Sequence, residues 1–237
     1  MNKTKIEWCD YTINPIKGLC PVDCKDNQGK SYCYARAMYK RFKWNPEIRF
    51  EGVVNLSVEL LRIKQPSKIF VGSTMELFGD WIDSHWMDII FEATRLYSQH
   101  TFIFLTKQPQ NLTKWSPFPD NCWVGVSATE TRMALEACLK LGDIEASVRF
   151  LSLEPMLHSI NLPYTLLETC HIDWIIIGAQ TPYNQKTAPK LSWVQEILVA
   201  ASNADNIPVF MKNNLQPVID HDSLWAGWRL RQEFPHA

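Results

Sequence analysis

The stretch IDWIIIGAQT, residues 172–181, sets Trp174, Ile175, Ile176 and Ile177 in a row and then stops at Gly178. A strand with one wet face alternates apolar and polar residues, and this one does not. Four consecutive large apolar side chains predict a strand covered on both faces, as in a parallel sheet. The same form recurs along the chain. SKIFVGST (67–74), HTFIFLTK (100–107), NCWVGVSATE (121–130), VRFLSLEP (148–155) and NIPVFMKNN (206–214) are read as strands, and KIEWCDYTI (5–13) as a short first strand. Between them, apolar residues at helical spacing predict helices over 31–43, 85–98, 129–141 and 191–204, with Thr129 and Ser192 as N-caps.

Strand alternating with helix throughout predicts an α/β fold, a partial or complete parallel (β/α) barrel. No linker or low-complexity run divides the chain, so a single domain over residues 1–237 is expected. Each apolar run ends in a small, polar or charged residue. In α/β barrels the carboxyl ends of the strands build the site. Ser73, Thr74, Lys107, Ser127, Glu154, Gly178 and Lys212 are therefore expected to face one mouth.

Composition narrows the class. The chain has 237 residues, 46% of them hydrophobic, and a formal net charge of -1, which is not that of a protein coating a polyanion. Charge is unevenly spread, however. Lys30, Arg36, Lys40, Arg41, Lys43 and Arg49 have only Glu47 among them. Such a run is either a solvated helix face or a nucleic-acid contact. Ten tryptophans predict rings capping a core or lining a cleft. With no signal-peptide pattern and no apolar run near the roughly 18–20 residues of a membrane span, a cytoplasmic protein without membrane contact is expected.

Seven cysteines in a reducing compartment read as metal ligands, reactive thiols or core residues. Cys122, Cys138 and Cys170 are scattered, but Cys20, Cys24 and Cys33 crowd one loop, CPVDCKDNQGKSYCYAR (20–36), spaced C-x3-C-x8-C. A structural zinc needs four ligands, for which Cys9 is the available fourth. An iron–sulfur cluster on three cysteines is the other solution, leaving one iron open to a small ligand. A degenerate barrel that binds a nucleotide or a protein is a third.

The loop resembles that of the radical S-adenosylmethionine enzymes, which carry C-x3-C-x2-C after the first barrel strand with an aromatic residue before the last cysteine. SYCYAR (31–36) is similar to the spore-photoproduct-lyase branch, which continues CYAR. CPVDC keeps the first spacing. The last gap is six residues longer, and Asp26, Asn27 and Gly29 are turn-formers that would let the excess loop out and return Cys33. KIEWCDYTINPIKGLC, FGDW, FLTKQPQNL, WVGVSATE, RFLSLEPM and WIIIGAQT, in that order, resemble the phage-associated three-Cys-motif family of radical-SAM-like proteins.

The resemblance implies a 4Fe-4S cluster on Cys20, Cys24 and Cys33, with S-adenosyl-L-methionine as second cofactor, cleaved to methionine and a 5′-deoxyadenosyl radical. It implies that Lys107 pairs with the methionyl carboxylate. Ser73 and Thr74, with Glu76 near them, lie where the amino group needs acceptors. Ser127 is placed for the ribose, and Tyr32 and the backbone near Gly178 for the adenine. Glu154 would orient cofactor or substrate, or cap a neighbouring helix, with Gln180 and Lys212 on the substrate side. The partners implied are a reductant protein, a nucleic acid or nucleotide substrate flipped into the mouth, and a partner protein supplying any nucleic-acid module.

Overall fold

The computed structural model describes residues 2–26, 28–220 and 229–235. Asn27, one of the three expected turn-formers, lies outside them.

The chain begins with β1 (Asn2–Lys3), β2 (Tyr11–Ile13) and β3 (Ile16–Lys17), followed by α1 (Tyr34–Phe42), β4 (Arg49–Phe50) and α2 (Val53–Leu61). The regular alternation then sets in: β5 (Lys68–Val71), α3 (Ser84–Leu96), β6 (Thr101–Thr106), a 3-10 turn at Pro109–Trp115, β7 (Cys122–Ser127), α4 (Thr131–Gly142), β8 (Val148–Leu153), α5 (Tyr164–Thr169), β9 (Trp174–Ile177), α6 (Leu191–Asn203), β10 (Val209–Met211) and α7 (Gln216–Asp220). The main sheet runs β1-β2-β5-β6-β7-β8-β9-β10, and β3 pairs with β4 apart from it. β1 is antiparallel to β2, while β2 and β5 to β10 are parallel. These seven parallel strands form the curled sheet of a partial (β/α) barrel, as the uninterrupted apolar runs predict.

Successive strand residues point to opposite faces, which divides the core in two. Ile69, Val71, Phe102, Phe104, Val124, Leu151, Ile175 and Val209 join the large cluster under the helices. Phe70, Ile103, Trp123, Phe150, Trp174, Ile176 and Phe210 form the second, inner cluster with Trp8 and Cys9. Gly125 belongs to this inner row, and the ring of Phe150 occupies the place of the missing side chain, 2.3 Å from where a Cβ would lie. Phe234 completes the floor, stacked on Trp174 at 5.5 Å, with Lys68 above its ring at 4.5 Å. Several tryptophans thus fill the barrel floor.

Several boundaries differ from the sequence expectation. Only Tyr11–Ile13 of 5–13 is sheet, because Asp10 accepts the Lys68 N–H through its carboxylate and ends the pairing, while Trp8 and Cys9 turn into the inner core. The helix expected over 31–43 starts at Tyr34, since the Cys33 thiol caps it by accepting from Arg36 N at 3.4 Å. Glu130, not Thr129, precedes α4, and Lys190, not Ser192, precedes α6, whose first turn contains Ser192. No helix among the described residues is long and apolar enough to cross a membrane.

Candidate functional site

The parity that sends Phe70, Ile103, Trp123, Phe150, Trp174 and Phe210 into the barrel floor sends later residues of the same strands to its mouth. Two residues on from Leu105 is Lys107. Ser127 follows Gly125, Ser152 and Glu154 follow Phe150, Gly178 follows Ile176, and Lys212 follows Phe210. The floor is aromatic and the rim is polar, built on one alternation.

Register then sets neighbours. Leu153 pairs with Ile177 and Ile177 with Met211, so Glu154, Gly178 and Lys212 lie abreast. The Lys212 ammonium meets Glu154 Oε2 at 3.3 Å, each side chain keeping only 18% exposure. They meet over Gly178, where an added Cβ would lie 3.0 Å from both Glu154 Oε1 and Lys212 Cδ. Burial pushes the Glu154 carboxyl above the usual range, against the pull of Lys212; Glu7 adds to the rise and Lys107 opposes it. Glu7 is held beside the pair by accepting Asn213 N–H at 2.7 Å.

Glu154 Oε1, Ser152 Oγ and Gln180 Oε1 are shielded from solvent and have no hydrogen-bond partner among the described residues. Buried oxygens are seldom left so, and these three are free to accept hydrogen bonds from a ligand.

The opposite side of the mouth is the cysteine loop. Between Cys24 and Cys33 the described residues fold back on themselves. Lys25 bridges Ser31, the Asp26 carboxylate accepts from Gln28 N at 3.0 Å and Lys30 N at 2.9 Å, and Tyr32 N donates to Cys24 O at 3.1 Å. The excess is thereby looped out, and Cys33 returns beside Cys24, near enough for the two thiols to shift each other's proton. That proximity lowers Cys33 to about 6, helped by the backbone N–H groups of Arg36 and Ala35 at the start of α1 and by Lys107; burial opposes it. Cys24, whose proton is shared with Cys33, is pushed up, and burial pushes Cys20 up.

Arg36 ties the loop: its guanidinium donates to Cys20 O at 2.9 Å and Val22 O at 3.4 Å. Tyr32 comes close to Thr129, just beyond the end of β7, and its hydroxyl is raised by burial. Tyr34, the tyrosine of CYAR, donates its hydroxyl to Ser73 O. The loop is thus anchored to the rim of β5 and lies close to that of β7.

Two further groups do structural work. Glu76 is neither on a helix face nor free. Its Oε1 accepts Thr106 Oγ1 at 2.6 Å and Phe78 N at 3.1 Å, and its Oε2 accepts Lys107 N at 2.7 Å. Asn14, which sequence reasoning does not single out, takes Thr74 N and Thr74 Oγ1 each at 3.0 Å and donates to Ser73 Oγ at 3.1 Å. The available signal is an Asn directly after the first strand and before Pro15, a position that favours side-chain-to-backbone bonding. The Lys107 ammonium has no ion pair among the described residues and lies within electrostatic reach of Cys24, Cys33 and Glu154.

Cys9 stands apart. It is buried in the inner cluster, its thiol 4.0 Å from Ile6 O, whereas Cys20 packs against the outer one. Cys122 is likewise a core thiol, 3.5 Å from Thr94 Oγ1. Among the described residues, no three His, Cys, Asp or Glu side chains are disposed around a point that would hold one metal ion.

A family model described as "Protein of unknown function (DUF5131)" matches residues 3–218. No curated protein and no solved structure gives a significant match. The family match takes in every parallel strand, the cysteine loop and each rim residue described above, and the chain belongs to this family.

Proposed function

We propose that this protein is a radical S-adenosylmethionine enzyme whose Cys20, Cys24 and Cys33 hold a 4Fe-4S cluster. The observation that carries the reading is the return of Cys33 to Cys24 by the folded-back insertion, at the carboxyl end of the first parallel strand and within reach of Lys107. The donor set fits such a group. Cys33 ionises readily, and thiolates are the ligands required. A single zinc would need its donors converged on one point. A cluster asks each thiolate to bind a different iron, which suits three thiols spread along one loop.

When bound, the cluster supplies the single electron that cleaves the sulfonium of S-adenosyl-L-methionine. The remaining tasks belong to this chain. Lys107 provides the cation for the methionyl carboxylate. Ser73 and Thr74, held by Asn14, offer oxygens to the amino group. Ser127 serves the ribose, and Tyr32 and the backbone at Gly178 serve the adenine. Glu154 and Lys212, with the unpartnered Glu154 Oε1, orient what binds deepest in the mouth. The aromatic floor excludes water from below.

The test is anaerobic reconstitution with iron and sulfide, quantification of both, and addition of dithionite and S-adenosyl-L-methionine. The expected result is about four irons and four sulfides per chain with release of 5′-deoxyadenosine. Stoichiometric zinc, or no metal and no nucleoside, overturns the reading.

A further inference from the structure

The sequence KRFKW, residues 40–44, ends α1 in a way that the cluster chemistry does not use. Lys43 takes the left-handed conformation, φ 51 and ψ 41, at the helix C-cap. Glycine is the usual residue there because a side chain is strained in that region. Here the turn folds the chain so that the residues flanking Lys43 meet. Phe42 and Trp44 stack with ring centroids 5.4 Å apart and planes 22° from parallel. Arg41 lies against Phe42, its guanidinium carbon 5.3 Å from the ring centroid. Both rings are open to solvent, Phe42 at 52% and Trp44 at 42% exposure. Lys40 and Lys43 have no ion pair among the described residues.

The stack is anchored beside the cysteine loop. Trp44 sits edge-on against Tyr39 at 5.2 Å, and the Tyr39 hydroxyl accepts Gly18 N–H at 2.8 Å. Leu19 N donates to Pro46 O at 2.9 Å. Gly18 and Leu19 lead directly into Cys20.

From this geometry we propose that the Arg41–Phe42–Trp44 stack, with Lys40 and Lys43, is a docking platform for single-stranded nucleic acid that leads a strand past the cysteine loop. Exposed planar rings interleaved with unpaired cations match the alternation of base faces and phosphates along a single strand. A duplex hides its base faces, and an acidic protein surface has charge but no planar face for the rings. Residues 30–49 hold six cations and one carboxylate in a chain of net charge -1; Arg36 is turned to the cysteine loop and Arg49 pairs with Glu51, which leaves Lys30, Lys40, Arg41 and Lys43 without an ion pair among the described residues. The inference deepens the proposed function by naming a substrate class, but its test needs neither iron nor S-adenosylmethionine. Either can therefore fail while the other stands.

The experiment is fluorescence anisotropy of the full chain with labelled oligothymidylate of about 12 nucleotides, a length within the span of known single-strand sites. A duplex of equal length and polyglutamate serve as competitors. The single strand is expected to bind, with both competitors displacing it poorly. Phe42→Ala with Trp44→Ala should weaken binding about tenfold or more. Lys43→Gly suits the left-handed turn and preserves the fold; it should weaken binding and lower the salt dependence by about one counterion. The proposal is overturned by no binding of the single strand, by unchanged affinity in the folded Lys43→Gly protein, or by displacement with polyglutamate, which would mark an acidic protein as the occupant.

Discussion

Glu154 and Lys212 directly follow the two strands flanking β9 and meet at 3.3 Å over Gly178, the one residue between them without a side chain. The pair is mostly desolvated, and burial raises the carboxyl more than Lys212 lowers it. A buried ion pair is weak support for stability, so its place at the mouth is better explained by what it holds than by what it adds to folding.

The imbalance predicts unequal variants. Glu154→Gln already resembles the form that burial favours and should be tolerated. Lys212→Met leaves the carboxylate without its nearest cation and should cost about 2–3 kcal/mol at neutral pH. The sign follows from the raised carboxyl. Its contribution is full below its unfolded pKa and is lost as pH rises through the folded one, so the Lys212→Met penalty should fade as pH falls and Glu154 takes up a proton. Glu7 and Lys107 also face the carboxyl and act in opposite senses. Urea midpoints measured across pH would check this; equal costs for the two variants, or a pH-independent penalty, would count against it.

Gly178→Ala places a methyl group at 3.0 Å from both partners. Both side chains must give way by a few tenths of an ångström while buried on the rim, so a loss of about 1 kcal/mol is expected, together with separation of the pair. A stability equal to the parent protein, by thermal denaturation, would show that the rim gives way easily.

In the metal-free protein, Cys33 should be alkylated before Cys20 and Cys24. Its pKa of about 6 makes it a thiolate at neutral pH, while the other two are raised. Mass spectrometry after brief iodoacetamide treatment at several pH values should show Cys33 labelled first, and at lower pH than Cys20 and Cys24. Equal labelling of all three would mean that Cys24 and Cys33 do not share a proton.

Arg36 bonds two carbonyls of the cysteine loop with one guanidinium. Arg36→Ala should release residues 20–24 to hydrogen exchange and cost about 1–3 kcal/mol. Arg36→Lys, with a point charge in place of a planar fork, should recover only part of the protection. Unchanged exchange in both variants would make Arg36 a bystander.

On the proposed function, Lys107→Ala should weaken S-adenosyl-L-methionine binding about tenfold, the scale of one charge-assisted contact, without altering iron content. The Lys107 backbone bond to Glu76 does not depend on the side chain, so the rim should keep its shape. Isothermal titration with the reconstituted protein would decide between this role and that of a solvated rim lysine.

Periodicity along single strands makes the sheet legible in the sequence. Runs such as 172–177 are apolar at nearly every position, so both faces have to be covered, which parallel strands flanked by helices achieve. The same period of two sends Lys107, Ser127, Glu154, Gly178 and Lys212 to one mouth, and the crowding of Cys20, Cys24 and Cys33 is visible in the spacing. Those properties are local, because each depends on neighbours within a few residues. Helix starts are less legible: Cys33 caps α1 with a thiol, which is not among the usual capping groups, and Glu130 and Lys190 precede their helices with no side-chain cap at all. Long-range geometry is decided by the tertiary structure. Stagger between β8, β9 and β10 sets Glu154 opposite Lys212, Asn14 clasps Ser73 and Thr74 from 59 and 60 residues away, and a left-handed lysine lays Phe42 on Trp44. Such contacts arise from register and packing among distant segments, and one-dimensional spacing carries no record of which strands become neighbours.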